Sequence, residues 1–387
     1  MTRVLLAFDK FKDALGASAA GAAVAVALRE QRPDWELDLA SLVDGGEGFA
    51  AVLTTAAGGR MVMREVTGPR GDRTMAMFGL VRLAAIPAGA RDQLQLSGRF
   101  APDAEIAIVE MAAASGLALL PVDRRDPWQT TTFGTGELMR AAVRSGAVAL
   151  LLGVGGSATS DLGLGALAAL GFGFLDARGG AVHPPVPAAW PRIIRVTGAP
   201  PAGFPPVYIA CDVTNPLLGP RGAAAVYGPQ KGLRPEDHAR LESESARLAS
   251  LLCAHAKRPE DLRTAAGTGA AGGLAFGLMA AAGARVLPGF ELVSAWLDLE
   301  RRMAAADIVI TGEGRFDDSS LEGKGPGAIA VRALALGKEV HVFAGQVAAA
   351  PRPGLALHAI TPAGQPLAQA LRETAGNLAI AVRAVFS

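Results

Sequence analysis

"AVALLLGVGGSATSDLGLGALAAL" occupies residues 147–170. It opens with an apolar run of strand length, turns through a stretch rich in Gly and hydroxyl residues, and resumes as the helical "LGALAAL". A strand apolar on both faces that feeds a helix through such a turn fits a parallel sheet with covered faces. The rhythm recurs. "RVLLAFD" (3–9) precedes the helical "SAAGAAVAVALREQ" (18–31), and "ELDLASLV" (36–43) precedes "FAAVLTTAAGG" (49–59). "EIAIVEMA" (105–112), "FGFLD" (172–176), "PVYIACDV" (206–213), "DIVITGEG" (307–314) and "EVHVFAGQV" (339–347) read as further buried strands. "TGELMRAAVRSG" (135–146), "GPGAIAVRALALG" (325–337) and a last long segment, 367–386, read as helices. The fold class is α/β with parallel sheets.

The chain has 387 residues, half of them apolar, which suits two domains with sizeable cores. A net charge of +1, with both signs interspersed, leaves no basic footprint for nucleic acid. Two cysteines, Cys211 and Cys253, without a CxxC pair, suit a reduced, cytoplasmic protein. Cys211 lies in an apolar strand and reads as core. The uncharged stretch 264–284 has the length of a membrane span. It is mostly Gly and Ala, whose side chains contribute little transfer energy, so a closely packed buried helix is expected and no membrane partner.

Gly-rich and acidic clusters follow the apolar runs: "DGGEG" (44–48), "GGSATSD" (155–161), "CDVTNP" (211–216) and "TGEGRFDD" (311–318). Parallel α/β sheets bind ligands beyond the carboxyl ends of their strands. Gly and Asp also serve ordinary turns and helix caps, but four such clusters together point to a polar site. Gly155 and Gly156 would expose main-chain N–H groups to an anion at a helix start, and Ser157, Thr159 and Ser160 add hydroxyls. Asp161 would repel phosphate unless a divalent cation bridges the two. Residues 153–158 also fit G-x-G-x-x-A, with Asp176 at the spacing of a ribose-binding acid, so a nicotinamide cofactor is a rival reading. No Walker A motif, HRD or DFG occurs; "LEGKGP" (321–326) lacks the spaced first Gly and the hydroxyl. Lys10, Lys12, Lys231 and Lys324 stand in or beside the clusters as point charges for phosphate or carboxylate. The acids are Asp44, Glu47, Asp161, Asp212, Glu313, Asp317 and Asp318. Asp212 ends a very apolar run; it reads either as a base that orients a hydroxyl or as a capping Asp. The five histidines have no metal-ligand spacing, and no G-x-S-x-G elbow is present.

In this order the clusters resemble the bacterial glycerate kinase family, type I. The likeness runs through "DKFKDAL" (9–15), "DGGEG", "VTGPRG" (66–71), "VEMAAASGLALLP" (109–121), "RDPWQTTTFGTGEL" (125–138), "GVGGSATSDLGLG" (153–165), "ACDVTNPLLGPRGAAAVYGPQKG" (210–232), "GTGAAGGLAFGL" (267–278) and "ITGEGRFDDSSLEGKGPGAIA" (310–330). The resemblance implies two different α/β domains with a cleft between them, in neither the P-loop nor the protein-kinase class. Residues 1–75 with 287–387 would form one, and 76–286 the other. It implies transfer of the ATP γ-phosphate to D-glycerate with Mg²⁺, with 2-phosphoglycerate favoured over 3-phosphoglycerate. A non-catalytic sugar-acid sensor is a further alternative. The resemblance suggests Lys12, Asp44, Glu47, Asp161, Asp212, Asn215, Lys231, Glu313 and Lys324 as cleft residues. Their chemistry, rather than the resemblance, assigns the roles: Asp212 and Lys12 to catalysis; Asp44, Glu47, Gly155, Gly156, Ser157, Thr159, Asn215, Lys231 and Lys324 to substrate or ATP; and Asp161 and Glu313 to the metal. Asp13 stands where the family usually has Gly, Gly16 where it has a hydroxyl residue, and Ser319 where it has Gln.

Overall fold

The computed structural model describes residues 1–322 and 325–387. The chain separates into two compact units, Met1–Val43 with Val293–Ser387, and Asp44–Leu292. In chain order the strands are β1 (Arg3–Phe8), β2 (Glu36–Ser41), β3 (Arg60–Thr67), β4 (Arg73–Arg82), β5 (Glu105–Glu110), β6 (Leu150–Gly153), β7 (Gly173–Leu175), β8 (Arg195–Thr197), β9 (Val207–Ala210), β10 (Arg285–Leu287), β11 (Ile308–Phe316), β12 (Glu339–Val347) and β13 (Leu355–Ala359).

The first unit holds a five-stranded sheet in the order β13-β12-β11-β1-β2, every neighbouring pair parallel. Both chain ends share it because β1 pairs with β11, Val4 opposite Ile308. Val4 to Phe8 are fully buried on both faces, as a central parallel strand requires. The helix Ala17–Gln31 buries Ala20, Val24, Ala27 and Leu28, a stripe at helical spacing, with Leu378, Val382 and Phe386 in the same core. The segment expected as one last helix is two, Leu367–Arg372 and Thr374–Phe386, broken at Glu373 (φ −99°, ψ 9°).

The second unit holds a six-stranded sheet in the order β10-β9-β6-β5-β4-β3. It is parallel from β10 to β5, and then β4 and β3 run antiparallel. β3 pairs with β4 from Arg60↔Leu80 to Thr67↔Arg73, which ties 60–67 to this sheet. The division therefore falls at 43/44 and 292/293 and differs from the expected crossings near 75 and 286. "FGFLD" is not a strand of the main sheet; β7 pairs antiparallel with β8 in a separate two-stranded ribbon.

The stretch 264–284 contains the helix Ala270–Ala282, buried from Ala270 to Leu278. Its start is irregular. Ala271, Gly272 and Gly273 are left-handed, at φ 54°, 62° and 87°. A Cβ on Gly272 would collide with the Thr159 carbonyl, so the turn brings main chain directly onto the loop after β6. Among the described residues no helix is long and apolar enough to cross a membrane.

That loop sets a test of packing. A Cβ on Gly155 would stand 2.6 Å from Gly46 Cα and 2.8 Å from its nitrogen, both main-chain atoms. Gly155→Ala should lower stability by about 1–3 kcal/mol, the usual cost of overpacking. Gly376→Ala, in the helix Thr374–Phe386 with nothing within 4 Å, should raise it by about 0.5–1 kcal/mol. Urea titration of both variants checks the contrast.

Candidate active site

In the second unit β5, β6, β9 and β10 run in one direction, so the loops after them leave one edge of the sheet. The "DGGEG" loop lies against the loop after β6, main chain to main chain. The Gly155 amide donates to the Gly45 carbonyl at 2.9 Å. A Cβ on Gly45 would stand 2.8 Å from the Ala210 carbonyl oxygen, and one on Gly153 2.5 Å from that of Gly45. Asp44 and Glu47 are exposed here, and the Asp44 carboxylate accepts from the Gly46 amide at 3.0 Å. Gly156 is left-handed at φ +71°, with Glu47 Oε1 3.7 Å from where its Cβ would be. Asp44, Glu47, Gly155 and Gly156 are thus brought together. Gly156 is exposed, and among the described residues its amide and that of Ser157 donate to no acceptor. Unpaired amides at such a turn suit an anion.

Beneath this surface the loop is tied down. The Ala158 amide donates to the Ser115 carbonyl at 2.9 Å, and Leu117 donates to that of Gly156 at 2.8 Å. Ser157 and Thr159 are buried. Asp161 is fully buried. Its Oδ2 accepts from the Thr132 amide (2.7 Å), the Thr132 hydroxyl (2.9 Å) and the Gly165 amide (3.2 Å), and its Oδ1 from the Gly163 amide (3.1 Å). Burial pushes its carboxyl above the usual range, against the pull of these bonds. The expected metal-facing role does not fit: both oxygens turn into the protein and are occupied by donors. Thr132 is the partner that sequence reasoning passed over, although it stood in the quoted "RDPWQTTTFGTGEL". Lys231 is buried too, 1% exposed, and its Nζ donates to the Thr159 carbonyl at 2.6 Å.

Asp212 follows β9 and is half-buried. Its Oδ2 accepts from the Phe290 amide at 2.9 Å, in the first turn of the helix Gly289–Trp296. The capping alternative is therefore met, and the group stands on a rigid strand end. Asn215 is engaged internally: its amide donates to the Arg221 carbonyl at 2.8 Å and accepts from the Tyr227 hydroxyl at 2.8 Å. It braces the 215–227 loop. Asp176 accepts from the Arg178 and Gly180 amides, both at 2.9 Å, which holds its carboxyl below the usual range. It closes a turn of the ribbon that contains β7, not the end of a parallel strand beside β6. The geometry of a dinucleotide fold is absent there, and the nicotinamide reading falls.

In the first unit, Glu313 lies in β11 and Asp9 follows β1. Glu313 Oε1 is buried, with no hydrogen-bond partner among the described residues. Burial pushes this carboxyl up to about 7, with Asp9 and Asp317 raising it further and a Ser320 hydrogen bond opposing. Asp9 is a site candidate that sequence reasoning missed; its signal was its place at the end of the first strand. Lys12 is exposed, and its amide nitrogen lies 3.3 Å from where a Gly314 Cβ would be. Lys324 lies outside the described residues. The departures from the family pattern gain physical content. Asp13 is left-handed at φ 61°, a conformation that Gly takes freely and Asp tolerates. Gly16 is the N-cap of the helix Ala17–Gln31 and provides no side-chain cap, which a hydroxyl residue supplies. Ser319, in place of Gln, donates its hydroxyl (2.5 Å) and its amide (3.1 Å) to Asp317 Oδ1, which holds that carboxyl below the usual range.

The glycerate kinase family model matches residues 4–387. The chain belongs to the glycerate kinase family. It is an ATP-dependent phosphotransferase, and the sensor reading falls with that. It is 37% identical over 354 residues to a glycerate kinase of Haemophilus influenzae, covering 89% of this chain and 85% of the relative. It is 35% identical over 384 residues to a glycerate kinase of Bacillus subtilis, covering 96% and 94%. A glycerate 2-kinase of Escherichia coli is 35% identical over 353 residues, covering 89% and 85%. A crystal structure of a proposed glycerate kinase 2 from Salmonella typhimurium LT2 superposes with a TM-score of 0.75 at 34% identity, covering 100% of this chain and 97% of the other. The α/β architecture with two mainly parallel sheets is that of this relative.

Glu313 sets a pH-dependent stability test. Its folded pKa of about 7 lies above the ordinary 4.5, so its protonated form stabilises the fold below pH 4.5 and that contribution is lost as pH rises through 7. Glu313→Gln mimics the protonated form. It should match the wild type near pH 5 and exceed it at pH 8 by about 1–3 kcal/mol, at about 1.4 kcal/mol per pKa unit. Thermal melting at the two pH values checks it; equal melting temperatures at pH 8 count against the buried carboxylate.

Proposed function

We propose that the enzyme transfers the ATP γ-phosphoryl group to the 2-hydroxyl of D-glycerate with Mg²⁺, giving 2-phosphoglycerate and ADP. The observation that carries this reading is the turn after β6, where the exposed Gly156 and the unpaired amides of Gly156 and Ser157 offer an anion-binding surface. The Escherichia coli relative named glycerate 2-kinase supports the position of transfer.

Within the second unit, main chain at 155–157 binds a phosphate group, with Asp44 and Glu47 beside it. Asp212 orients the attacking hydroxyl and accepts its proton from a strand end that its bond to Phe290 keeps fixed. Thr159 and Asn215 act through the loops they brace. Within the first unit, Lys12 offers an ammonium to a carboxylate or phosphate. The buried Glu313 Oε1, without a partner among the described residues, fits a cation ligand, and Asp9 flanks it. No three described acids, Cys or His enclose a metal by themselves. Mg²⁺ is commonly held by one or two carboxylates together with substrate phosphates and water. When bound, Mg²⁺ would neutralise charge on the polyphosphate.

The test is turnover of D-glycerate with ATP and Mg²⁺, followed by phosphorus NMR of the product. The 2-phosphate is expected, and EDTA should stop the reaction; the 3-phosphate overturns the assigned position. Asp212→Asn should lower kcat by about 10²–10⁴ and leave ATP binding near wild type. A variant within threefold of wild-type kcat at saturating substrates removes Asp212 from its role.

A further inference from the structure

Lys231 is the most deeply buried charge in the second unit after Asp161. The one hydrogen bond of its ammonium among the described residues goes to the Thr159 carbonyl. No carboxylate there pairs with it at salt-bridge distance. A buried ammonium held by one neutral acceptor is costly, and an apolar side chain of the same length would fill the space at lower cost. The ammonium therefore needs a reason beyond packing.

Its placement supplies one. The carbonyl it holds belongs to the segment whose amides, at 156 and 157, are unpaired. Thr159 also receives the left-handed turn at Gly272 on its other side, and Leu162 donates its amide to the Gly272 carbonyl at 3.1 Å. The loop is thus clamped by a cation at 159, by Asp161 through Thr132, and by main chain at 272. An anion on the amides gains from a buried positive charge held at residue 159 of the same loop, where water screens it little.

We propose that Lys231 is a positioning residue for the phosphate loop: from beneath, its charge fixes the Thr159 carbonyl and stabilises a bound phosphate group without touching it. This rests on the reading of 155–157 as the phosphate site. Binding of the anion is then coupled to protonation of Lys231. Burial lowers its pKa to about 7, and the charge of Asp161 opposes the fall. Among the ionisable groups on the elements packed around it, Arg125 lies on the segment whose main chain packs against the neighbouring Gly232. The loop after β6 contributes Asp161, the helix Ala270–Ala282 contributes no ionisable side chain, and the helix Ala223–Tyr227 contributes Tyr227, whose hydroxyl is bound to Asn215.

Stability and binding must then move in opposite directions with pH. The folded pKa lies below the ordinary 10.5, so between about 7 and 10.5 the unfolded chain holds a proton that the folded chain lacks. The contribution of Lys231 to stability therefore rises with pH in that window. Phosphate affinity falls across the same window, because the charged form is lost.

The experiment uses the full chain and a non-hydrolysable ATP analogue with Mg²⁺. Calorimetry at pH 7.5 in two buffers of different ionisation heat measures protons taken up on binding, and affinity is followed from pH 6.5 to 9. The wild type should take up more protons than Lys231→Met and should weaken by about tenfold toward pH 9, a typical coupling factor. Lys231→Met should bind weakly at all pH values with a flat profile. Lys231→Arg, charged throughout, should restore affinity at pH 9. Equal proton uptake in wild type and Lys231→Met, or parallel pH profiles, overturns the proposal. Should Lys231→Met fail to fold, a flat wild-type affinity from pH 6.5 to 9 overturns it equally. Gly156→Asp tests the underlying reading separately. It places a negative charge at the turn, and wild-type affinity in that variant removes the phosphate loop itself, and the role of Lys231 with it.

Discussion

The second unit is organised around one buried carboxylate. Asp161 accepts four hydrogen bonds, from Thr132, Gly163 and Gly165, at the N-termini of two helices. Leu162 is left-handed at φ 55°, a strained state for a residue with that side chain, and Gly163 follows at φ 72°. The carboxylate compensates both and starts the helix Leu164–Ala169 with an acceptor near its N-terminus. It also pins Thr132 at the entrance of the helix Phe133–Arg144. Removing an acceptor of this kind leaves several buried donors without partners, each at about 1–3 kcal/mol. The amides of Gly156 and Ser157 are left for a ligand, while Ala158, Asp161 and Leu162 anchor the residues that follow.

The parallel strands were legible because their burial on both faces leaves a plain mark: β1, β5, β6 and β9 are unbroken apolar runs. β3 and β4 were not. In β4 the exposed Met75 and Met77 alternate with buried Ala76 and Phe78, and in β3 only Val66 is buried, patterns that a search for apolar runs passes over. β7 looked like a buried strand because Phe174 is buried, yet its pairing with β8 depends on a partner 24 residues away at Thr197↔Gly173. For short apolar segments, tertiary pairing outweighs local pattern.

Site residues divide along similar lines. Gly155 and Gly156 could be read from the sequence, since close main-chain approach needs glycine whatever the ligand. The direction in which a polar side chain points could not. Asp161, Asn215 and Lys231 sit in the expected loops, yet each turns inward to a main-chain or hydroxyl partner. A sequence lists an acid beside a Gly-rich turn; it does not say whether that acid meets the ligand or holds the turn. Partner supply decides. Thr132 lies 29 residues before Asp161, and only the pairing of β5 with β6 and the return of the helix Phe133–Arg144 bring it there.

The two units then offer opposite electrostatic surfaces at the carboxyl ends of their strands. In the second, unpaired amides and a buried ammonium favour an anion. In the first, Asp9 and Asp317 raise Glu313, an acid already disfavoured by burial, which favours either a proton or a cation. Asp13 belongs to this balance. It adds a further negative charge next to Lys12 while occupying a backbone position suited to Gly. A lysine meant to hold an anion is weakened by such a neighbour, whereas one near a cation-binding acid pair is less disturbed by it.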